Sequence, residues 1–277
     1  MSLATIFVPL SGTADDRVAL ATAFAVAKPF GAHVGAVCLT PHPGEVVTAG
    51  DLYESSRARA QLALQLREAA RESFAAEAAR AGAKIASAAQ ESGTLTASYR
   101  EATGQLTRCI VSEAQFADLI VYPPLHGQSH SQLHDAFIEV LMKSGQPVLL
   151  CAQQAPLHRF ARIAAGWDDG LPAAHALVAA MPLIENAASV ELLTVGRGPS
   201  SGSETSEALE YLRLHGVAAT ARPLPRGAAG RALLAAAEGC DLLVIGGYGH
   251  SQMLETVFGG VTDFIASHAA IPILMAH

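Results

Sequence analysis

A glycine-rich stretch near the end of the chain has the residue types and spacing to bind an anion. An apolar run over residues 242–245 leads into a turn, and a second glycine pair follows. Glycines at a strand-to-helix turn allow positive φ and let a ligand approach the backbone, and free N–H groups at a helix start favour an anion. The stretch therefore predicts a phosphate site, and a turn that needs glycines only for its geometry is the alternative. The predicted site residues here are Gly246, Gly249, His250, Gly259, Gly260, Val261 and Thr262.

Two carboxylates follow another apolar run. Asp168 and Asp169 come directly after residues 163–167. Carboxylates beside phosphates hold Mg²⁺ in many nucleotide sites. Aspartates before Leu171 and a proline are also typical of a helix start. Both interpretations stay open for Asp168, and Trp167 is expected in the core or in a pocket wall.

Four histidines could bind a ligand or a metal, or could simply be polar surface residues. His126, His130 and His134 are spaced by four, as are imidazoles that share a metal on a helix. Gly127 and nearby prolines place His126 in a loop, which leaves at best a pair of ligands and favours polar histidines on a helix face. His250 borders the glycine turn, where it could donate to a phosphate or face solvent. No metal site is predicted.

Sequence motifs of the common hydrolases and phosphate-transferring enzymes are absent. The chain has no G-x-S-x-G elbow, no cysteine and histidine signature and no G-x-x-x-x-G-K-[ST] loop. No catalytic residue is predicted, and binding is better supported than turnover.

Strands and helices alternate along the chain, and their order occurs twice. The matching sequence pairs are 117–121 with 240–244 and 146–150 with 271–275. Uniformly apolar strands between helices predict open parallel sheets covered on both faces, in a Rossmann-like α/β fold. We expect two domains, at residues 1–153 and 159–277. In such sheets ligands bind beyond the carboxyl ends of the strands.

Three helices carry more specific predictions. The long helix over residues 51–80 should bury one face and expose Arg67 on the other. The last helix should bury Val261. Thr13 and Asp16 form a capping-box pattern for the first helix. The buried positions predicted for the long helix are Leu62, Leu66, Ala70 and Phe74.

Composition and charge exclude several classes of protein. The chain has 277 residues, 51% of them hydrophobic, and a formal net charge of −7. This charge gives no support for general binding to nucleic acid or anionic membranes. Four cysteines without a C-x-x-C argue against a zinc ribbon and a disulfide framework. No signal peptide or membrane-spanning run is visible, which predicts a soluble, cytoplasmic protein.

The glycine spacing and the repeated order resemble the universal stress protein family, in a tandem two-domain form that covers nearly the whole chain. The resemblance implies an adenine nucleotide (ATP, ADP or AMP) in the second half, and Mg²⁺ could accompany it. By position, Asp168 would face the nucleoside, backbone near Val195 would meet the adenine, and the glycine stretch would hold ribose and phosphates. Gly260 stands where the family usually has Ser or Thr, a lost donor that Thr262 could partly replace.

The first half lacks the features of this site. Pro123 and Pro124 occupy the position of the loop glycines, and proline has no N–H to donate. The first strand ends in Leu10, Ser11 and Gly12, without an acid. We therefore expect one nucleotide per chain. The resemblance also implies that the halves pair through their last strands as an internal pseudo-dimer, and a homodimer of chains stays open.

Three functions remain after these observations. A stress-response protein that binds one adenine nucleotide, with at most slow ATP hydrolysis, is favoured. A nucleotide-independent interaction scaffold with vestigial pockets is the alternative, and Gly260 is its best support. A nucleotidyl transferase or ligase is the third, but the catalytic His and Lys motifs expected of it are absent.

Overall fold

The computed structural model describes most of the chain. The described residues are 2–40, 54–86, 93–125, 132–153, 160–195, 202–225, 227–247 and 261–277. They fall into two compact units, Leu3–Gln146 and Pro147–His277.

The first unit is a parallel sheet with helices packed against it. Its described elements are β1 (Thr5–Leu10), α1 (Asp15–Ala27), β2 (His33–Thr40), α2 (Glu54–Ala81), β3 (Lys84–Ile85), β4 (Thr96–Thr103), α3 (Leu106–Ala114), β5 (Leu119–Tyr122) and α4 (Gln132–Lys143). The strand order is β3-β4-β2-β1-β5, and the described pairings are parallel. All four residues of β5 are buried, as expected for a strand covered on both faces.

The long helix α2 buries only part of the face that its sequence pattern predicts. Ala70 and Phe74 are buried, but Leu62 is 54% exposed, so that prediction was wrong. A helix of 28 residues spans about 42 Å, whereas the eight-residue strands β2 and β4 span about 26 Å. The first turns of α2 are therefore too far along the helix to rest on these strands.

The prediction that Arg67 is exposed on the outer side of α2 was also wrong. Its Nη2 atom donates to the hydroxyls of Thr40 and Thr103, at 2.6 and 2.7 Å. These threonines are the last residues of β2 and β4. The long side chain reaches from the flank of α2 to the sheet edge, which helical spacing alone does not reveal.

The second unit repeats this architecture with one additional strand. Its described elements are β6 (Val148–Leu150), β7 (Arg162–Gly166), α5 (Leu171–Ile184), β8 (Ser189–Val195), α6 (Gly202–Leu214), β9 (Ala219–Leu224), α7 (Ala229–Ala236), β10 (Leu242–Gly246), α8 (Val261–His268) and β11 (Ile273–Ala276). The order is β6-β11-β10-β7-β8-β9. Only β6 among these described strands is antiparallel to its neighbour, with Leu149 opposite Leu274.

The antiparallel pair of β6 and β11 joins the last strands of the two sequence repeats, as the sequence resemblance implied. It also places β6 in the second compact unit, although the sequence repeat assigns it to the first half. The domain division at 1–153 and 159–277 stays a prediction.

A matching pair of aspartates shows the repeat at atomic detail. Asp118 Oδ2 accepts the backbone N–H groups of Ala4 and Thr5, at 2.7 and 2.9 Å. Asp241 Oδ2 accepts those of Ala161 and Arg162, at 2.9 and 2.8 Å. Asp118 thus fastens the start of β1, and Asp241 fastens the start of β7.

The predicted Rossmann-like α/β class is confirmed by these parallel sheets with helices on both faces. None of the described helices has the length and apolar character required to cross a membrane.

Candidate functional site

Three of the predicted site residues lie at one edge of the second unit. β7 pairs in parallel with β10 on one side and with β8 on the other. Because parallel strands end at the same edge, the turn after β7 with Asp168, the end of β8 at Val195 and the end of β10 at Gly246 are neighbours.

The turn after β7 is held by the Asp168 side chain. Its Oδ1 accepts the N–H of Gly170 at 2.9 Å, and Gly170 is the N-cap of α5. Asp169 has a φ of 68°, in the left-handed region that non-glycine residues rarely adopt. Both aspartates are exposed. The hydrogen bond to Gly170 supports a role for Asp168 at the start of α5. The same carboxylate is exposed at the sheet edge.

Gly246 is explained by packing against α5. A Cβ added to Gly246 would lie 2.6 Å from the backbone nitrogen of Ala173 and 2.7 Å from the carbonyl carbon of Pro172. Only glycine lets the end of β10 approach the start of α5 this closely. Close packing against α5 thus explains the glycine at position 246, and no ligand is needed to explain it.

Histidines that the sequence did not single out fix the backbone at Gly247. The Gly247 N–H donates to Ala276 at 2.7 Å, and His277 Nδ1 donates to the Gly247 carbonyl at 3.0 Å. His175 Nδ1 in turn donates to the His277 carbonyl at 3.3 Å. No spacing in the sequence relates residues 175, 247 and 277, so these contacts follow only from the fold.

The other predicted site residues are described in part. Gly249, His250, Gly259 and Gly260 lie outside the described residues. Val261 and Thr262 begin α8, where Val261 is 44% exposed and Thr262 is 6% exposed. The prediction that Val261 belongs to the buried stripe was wrong, because the first residue of α8 lies at the surface. The buried Thr262 side chain presents little surface for a ligand.

The histidine trio also lies mostly outside the described part of the chain. His126 and His130 precede α4, and the side chain of His134 is not described. Among the described residues, no cluster of three or more His, Cys, Asp or Glu side chains could hold a metal ion.

The corresponding edge of the first unit is covered by its own helix. Ile6 faces Leu119 and Ile163 faces Leu242, so Gly12 and Asp169 occupy equivalent turns six residues further on. Both have positive φ, 79° and 68°. A Cβ on Gly12 would lie 2.3 Å from the carbonyl oxygen of Leu66 in α2. The turn of the first unit is in contact with α2, whereas that of the second is exposed.

An acid from α1 reaches this turn of the first unit, although the strand itself ends without one, as the sequence predicted. Asp16 is fully buried, and its carboxylate accepts the backbone N–H groups of Ser11 at 3.0 Å and Gly12 at 2.8 Å. The capping box with Thr13 is not formed, since α1 has Ala14 as its N-cap with no side-chain cap bond. Burial raises the pKa of Asp16 from 3.8 to about 6, although these hydrogen bonds favour the charged form.

Charged and polar side chains fill the space between α2 and the ends of β2 and β4. Arg71 donates to Glu101 at 2.7 Å, and this bond lowers the pKa of the Glu101 carboxyl. The Tyr99 hydroxyl donates to the Arg67 carbonyl at 3.1 Å. Burial raises the pKa of the neighbouring Cys38 thiol to about 11. The protein's own side chains thus occupy this edge of the first unit.

Two clefts elsewhere do not offer an alternative phosphate site. A cleft of about 310 Å³ in the second unit is lined by residues that include Glu191 and Arg222. Its counterpart of about 280 Å³ in the first unit is lined by residues that include Arg100 and Glu113. Arg222 Nη1 lies 3.6 Å from the Glu191 carboxylate, and Arg100 is bonded to Glu113. Each of these arginines already has a carboxylate partner.

Comparison with known proteins gives one sequence match and a set of similar folds. Residues 224–277, which contain β10 and α8, match the universal stress protein family. No curated protein sequence matches the chain. A universal stress protein from Archaeoglobus fulgidus DSM 4304 superposes with a TM-score of 0.73 at 13% identity, over 98% of this chain and 97% of that one.

Two other solved structures mark the range of similarity. A functionally unknown protein from Pseudomonas aeruginosa PAO1 superposes with a TM-score of 0.55 at 16% identity, over 99% of this chain and 92% of its own. A universal stress protein in complex with cAMP has a TM-score of 0.36 at 19% identity, over 43% of this chain and 98% of its own. That last likeness is too low to support an argument. The fold of nearly the whole chain is that of universal stress proteins, and residues 224–277 match the family in sequence.

Proposed function

We propose that this protein binds one adenine nucleotide, ATP, ADP or AMP, at the carboxyl edge of its second unit and acts as a stress-response or regulatory binding protein. The observation that carries the proposal is the difference between two equivalent turns. The turn at Asp168 and Asp169 is exposed and acidic, whereas the turn at Gly12 is covered by Leu66 of α2. Of these two turns, the described residues cover the first and leave the second exposed, which favours a ligand at the second.

The proposed roles follow the elements that meet at this edge. Asp168 faces the nucleoside, and backbone at Val195 lies against the base. Gly249, His250, Gly259, Gly260 and the backbone of Val261 and Thr262 hold the ribose and phosphates, and Mg²⁺ accompanies a nucleotide with two or three phosphates. The family match over residues 224–277 supports this assignment because it includes the whole glycine pattern. Gly246 keeps a packing role beside α5.

The test is a substitution in the glycine turn with a matched control in the first half. Gly249→Val places a branched side chain where the ligand must meet backbone, and it penalises positive φ. AMP affinity, measured by calorimetry, should fall at least about tenfold, which is about 1.4 kcal/mol. His126→Val changes the corresponding loop position of the first half and should leave the affinity unchanged. A folded Gly249→Val protein with undiminished affinity would overturn the role of the turn.

A nucleotide-independent interaction scaffold is the second candidate. It is favoured by Gly260, which lacks a hydroxyl, and by Thr262, whose side chain is buried and so poorly placed to replace it. Mass spectrometry of small molecules released from the purified, denatured protein separates the two functions. A released adenine nucleotide supports binding, and a ligand-free protein that also fails to take up AMP supports the scaffold.

The proposal includes slow ATP hydrolysis at most and a location in the cytoplasm. Hydrolysis of ATP, where it occurs, is slow and incidental, because the sequence carries no motif for it. A reducing cytoplasm suits the four cysteines, Cys38, Cys109, Cys151 and Cys240, none of which forms a disulfide in the structure.

A further inference from the structure

The indole nitrogen of Trp167 is a buried hydrogen-bond donor without an acceptor. In the part of the chain that the structure describes, Trp167 Nε1 and Arg67 Nε are the buried side-chain nitrogens with no partner. The indole can only donate, and an unpaired buried donor loses its hydration without compensation. Most such groups in native proteins have a partner, so this one requires an explanation.

Trp167 lies at the carboxyl edge of the second unit. Its backbone N–H donates to Leu193 at 2.8 Å, which extends the pairing of β7 with β8 by one residue. The register of Ala165 with Val244 places Trp167 level with Gly246. It directly precedes Asp168, so the unpaired donor and the exposed carboxylate occupy adjacent positions.

The direction of neighbouring residues places the indole on the α5 face of the sheet. A Cβ on Gly166 would lie 3.3 Å from Leu233 of α7. Successive residues of a strand point to opposite faces, so Trp167 points away from α7. Gly246 lies beside Trp167 on the neighbouring strand, and a Cβ added to Gly246 would point toward Pro172 and Ala173 at the start of α5. The indole is thus on the face that meets the turn of Asp168 and α5.

The first unit has no such donor at the equivalent position. The register that matches Ile6 with Ile163 matches Leu10 with Trp167. Leu10 is fully buried and apolar. The indole donor therefore occurs in the unit with the exposed turn and is absent from the unit whose turn is covered.

We propose that the Trp167 indole N–H donates to an acceptor atom in the nucleoside part of the bound nucleotide, a ring nitrogen of the base or a ribose oxygen. The proposal rests on the proposed function, and it makes Trp167 a positioning residue for the ligand. A donor at Trp167 next to an acceptor at Asp168 presents both hydrogen-bonding roles to the nucleoside. Phosphate has no part in this contact.

Calorimetry on Trp167→Phe tests the contact. Phenylalanine keeps an aromatic ring and removes the N–H, so the affinities for adenosine and AMP should both fall by about tenfold, the usual effect of one lost hydrogen bond. Tyr122→Phe is the matched control, because it removes a buried donor of the first unit that bonds Leu133 at 2.6 Å. It should lower the melting temperature and leave both affinities unchanged.

The wild-type protein supplies a second readout that does not depend on a variant. Trp167 is the single tryptophan of the chain, so a ¹⁵N-labelled sample gives one indole N–H signal. Saturating AMP should shift its proton downfield and slow its exchange with solvent. An indole signal that does not shift would overturn the proposal, and so would a Trp167→Phe protein with undiminished affinity for adenosine. In either case the proposed function stands as long as the wild type binds AMP. If the wild type binds no adenine nucleotide, both fail.

Discussion

One carboxylate lies at the first strand-to-helix turn of each unit, but it comes from opposite sides of that turn. In the second unit Asp168 belongs to the turn and accepts the N–H of Gly170 ahead of it. In the first unit the equivalent position is Ser11, and Asp16 of α1 reaches back to the turn. The carboxylate of Asp16 is buried and bonded to the backbone of the turn, whereas that of Asp168 is exposed at the sheet edge. The same turn is thus held by a carboxylate in both units, and only in the second unit is that carboxylate exposed.

Asp168 can be tested with two substitutions that separate its two roles. Asp168→Ala should cost about 0.5 to 1 kcal/mol of stability by losing the turn bond. It should also weaken AMP binding by roughly 1 to 3 kcal/mol by losing a charge-assisted bond to the nucleoside. Asp168→Asn keeps an oxygen acceptor for Gly170 and should retain the stability while still weakening AMP binding. Calorimetry and thermal melting measure the two effects, and unchanged AMP affinity in both variants would assign Asp168 to the helix start alone.

The buried Asp16 should make stability depend on pH in an unusual direction. Its folded pKa of about 6 exceeds its usual value of 3.8, so the folded state binds the proton more tightly than the unfolded chain. The stabilisation is therefore complete below about pH 3.8 and is lost as the pH rises through 6, with a total on the order of 3 kcal/mol.

Urea unfolding of the wild type and of Asp16→Asn at a series of pH values measures this contribution. The free energy of unfolding of the wild type, taken relative to the variant, should decrease between pH 4 and 7 and then stay level. A difference that increases with pH would mean that the hydrogen bonds from Ser11 and Gly12 outweigh burial.

At the scale of elements, the position of α2 distinguishes the two units. The sequence predicts its existence and the buried positions Ala70 and Phe74, because helical periodicity is a local property. It does not predict that Leu66 covers Gly12 or that Arg67 bonds the ends of β2 and β4. Those contacts depend on where the helix lies along the sheet, and spacing carries no information about that.

Substitutions at three positions with positive φ measure how tightly α2 covers the first turn. Gly12→Ala combines left-handed strain with a clash against Leu66 and should cost roughly 2 to 4 kcal/mol. Gly82→Ala has the same strain, with φ of 73°, but meets nothing within 4 Å, so it should cost only about 1 kcal/mol. Asp169→Gly relieves strain at the exposed turn and should change stability by no more than about 0.5 kcal/mol. Equal costs for the two glycines in denaturant unfolding would mean that α2 does not press on the turn.

In the molecule as a whole, the repeat was readable from the matching segments of the sequence, but the strand pairing between the two copies was not. The matched segments around Asp118 and Asp241 predicted the two copies, and the structure gives both aspartates the same role. The pairing of β6 with β11 was implied by the family resemblance, and the matching segments alone did not predict it. Strand pairing across a repeat depends on contacts between distant residues, which a comparison of matching segments does not contain.

The proposed function requires that the repeat binds one nucleotide and not two. The contacts of α2 fill the first edge, whereas Asp168 is exposed at the second. Isothermal titration of the purified, ligand-free chain with AMP, repeated with ATP and Mg²⁺, measures the stoichiometry directly. We predict a ratio close to one nucleotide per chain, abolished by Gly249→Val and retained in His126→Val. A reproducible ratio of two, or no binding by the ligand-free wild type, would contradict this claim.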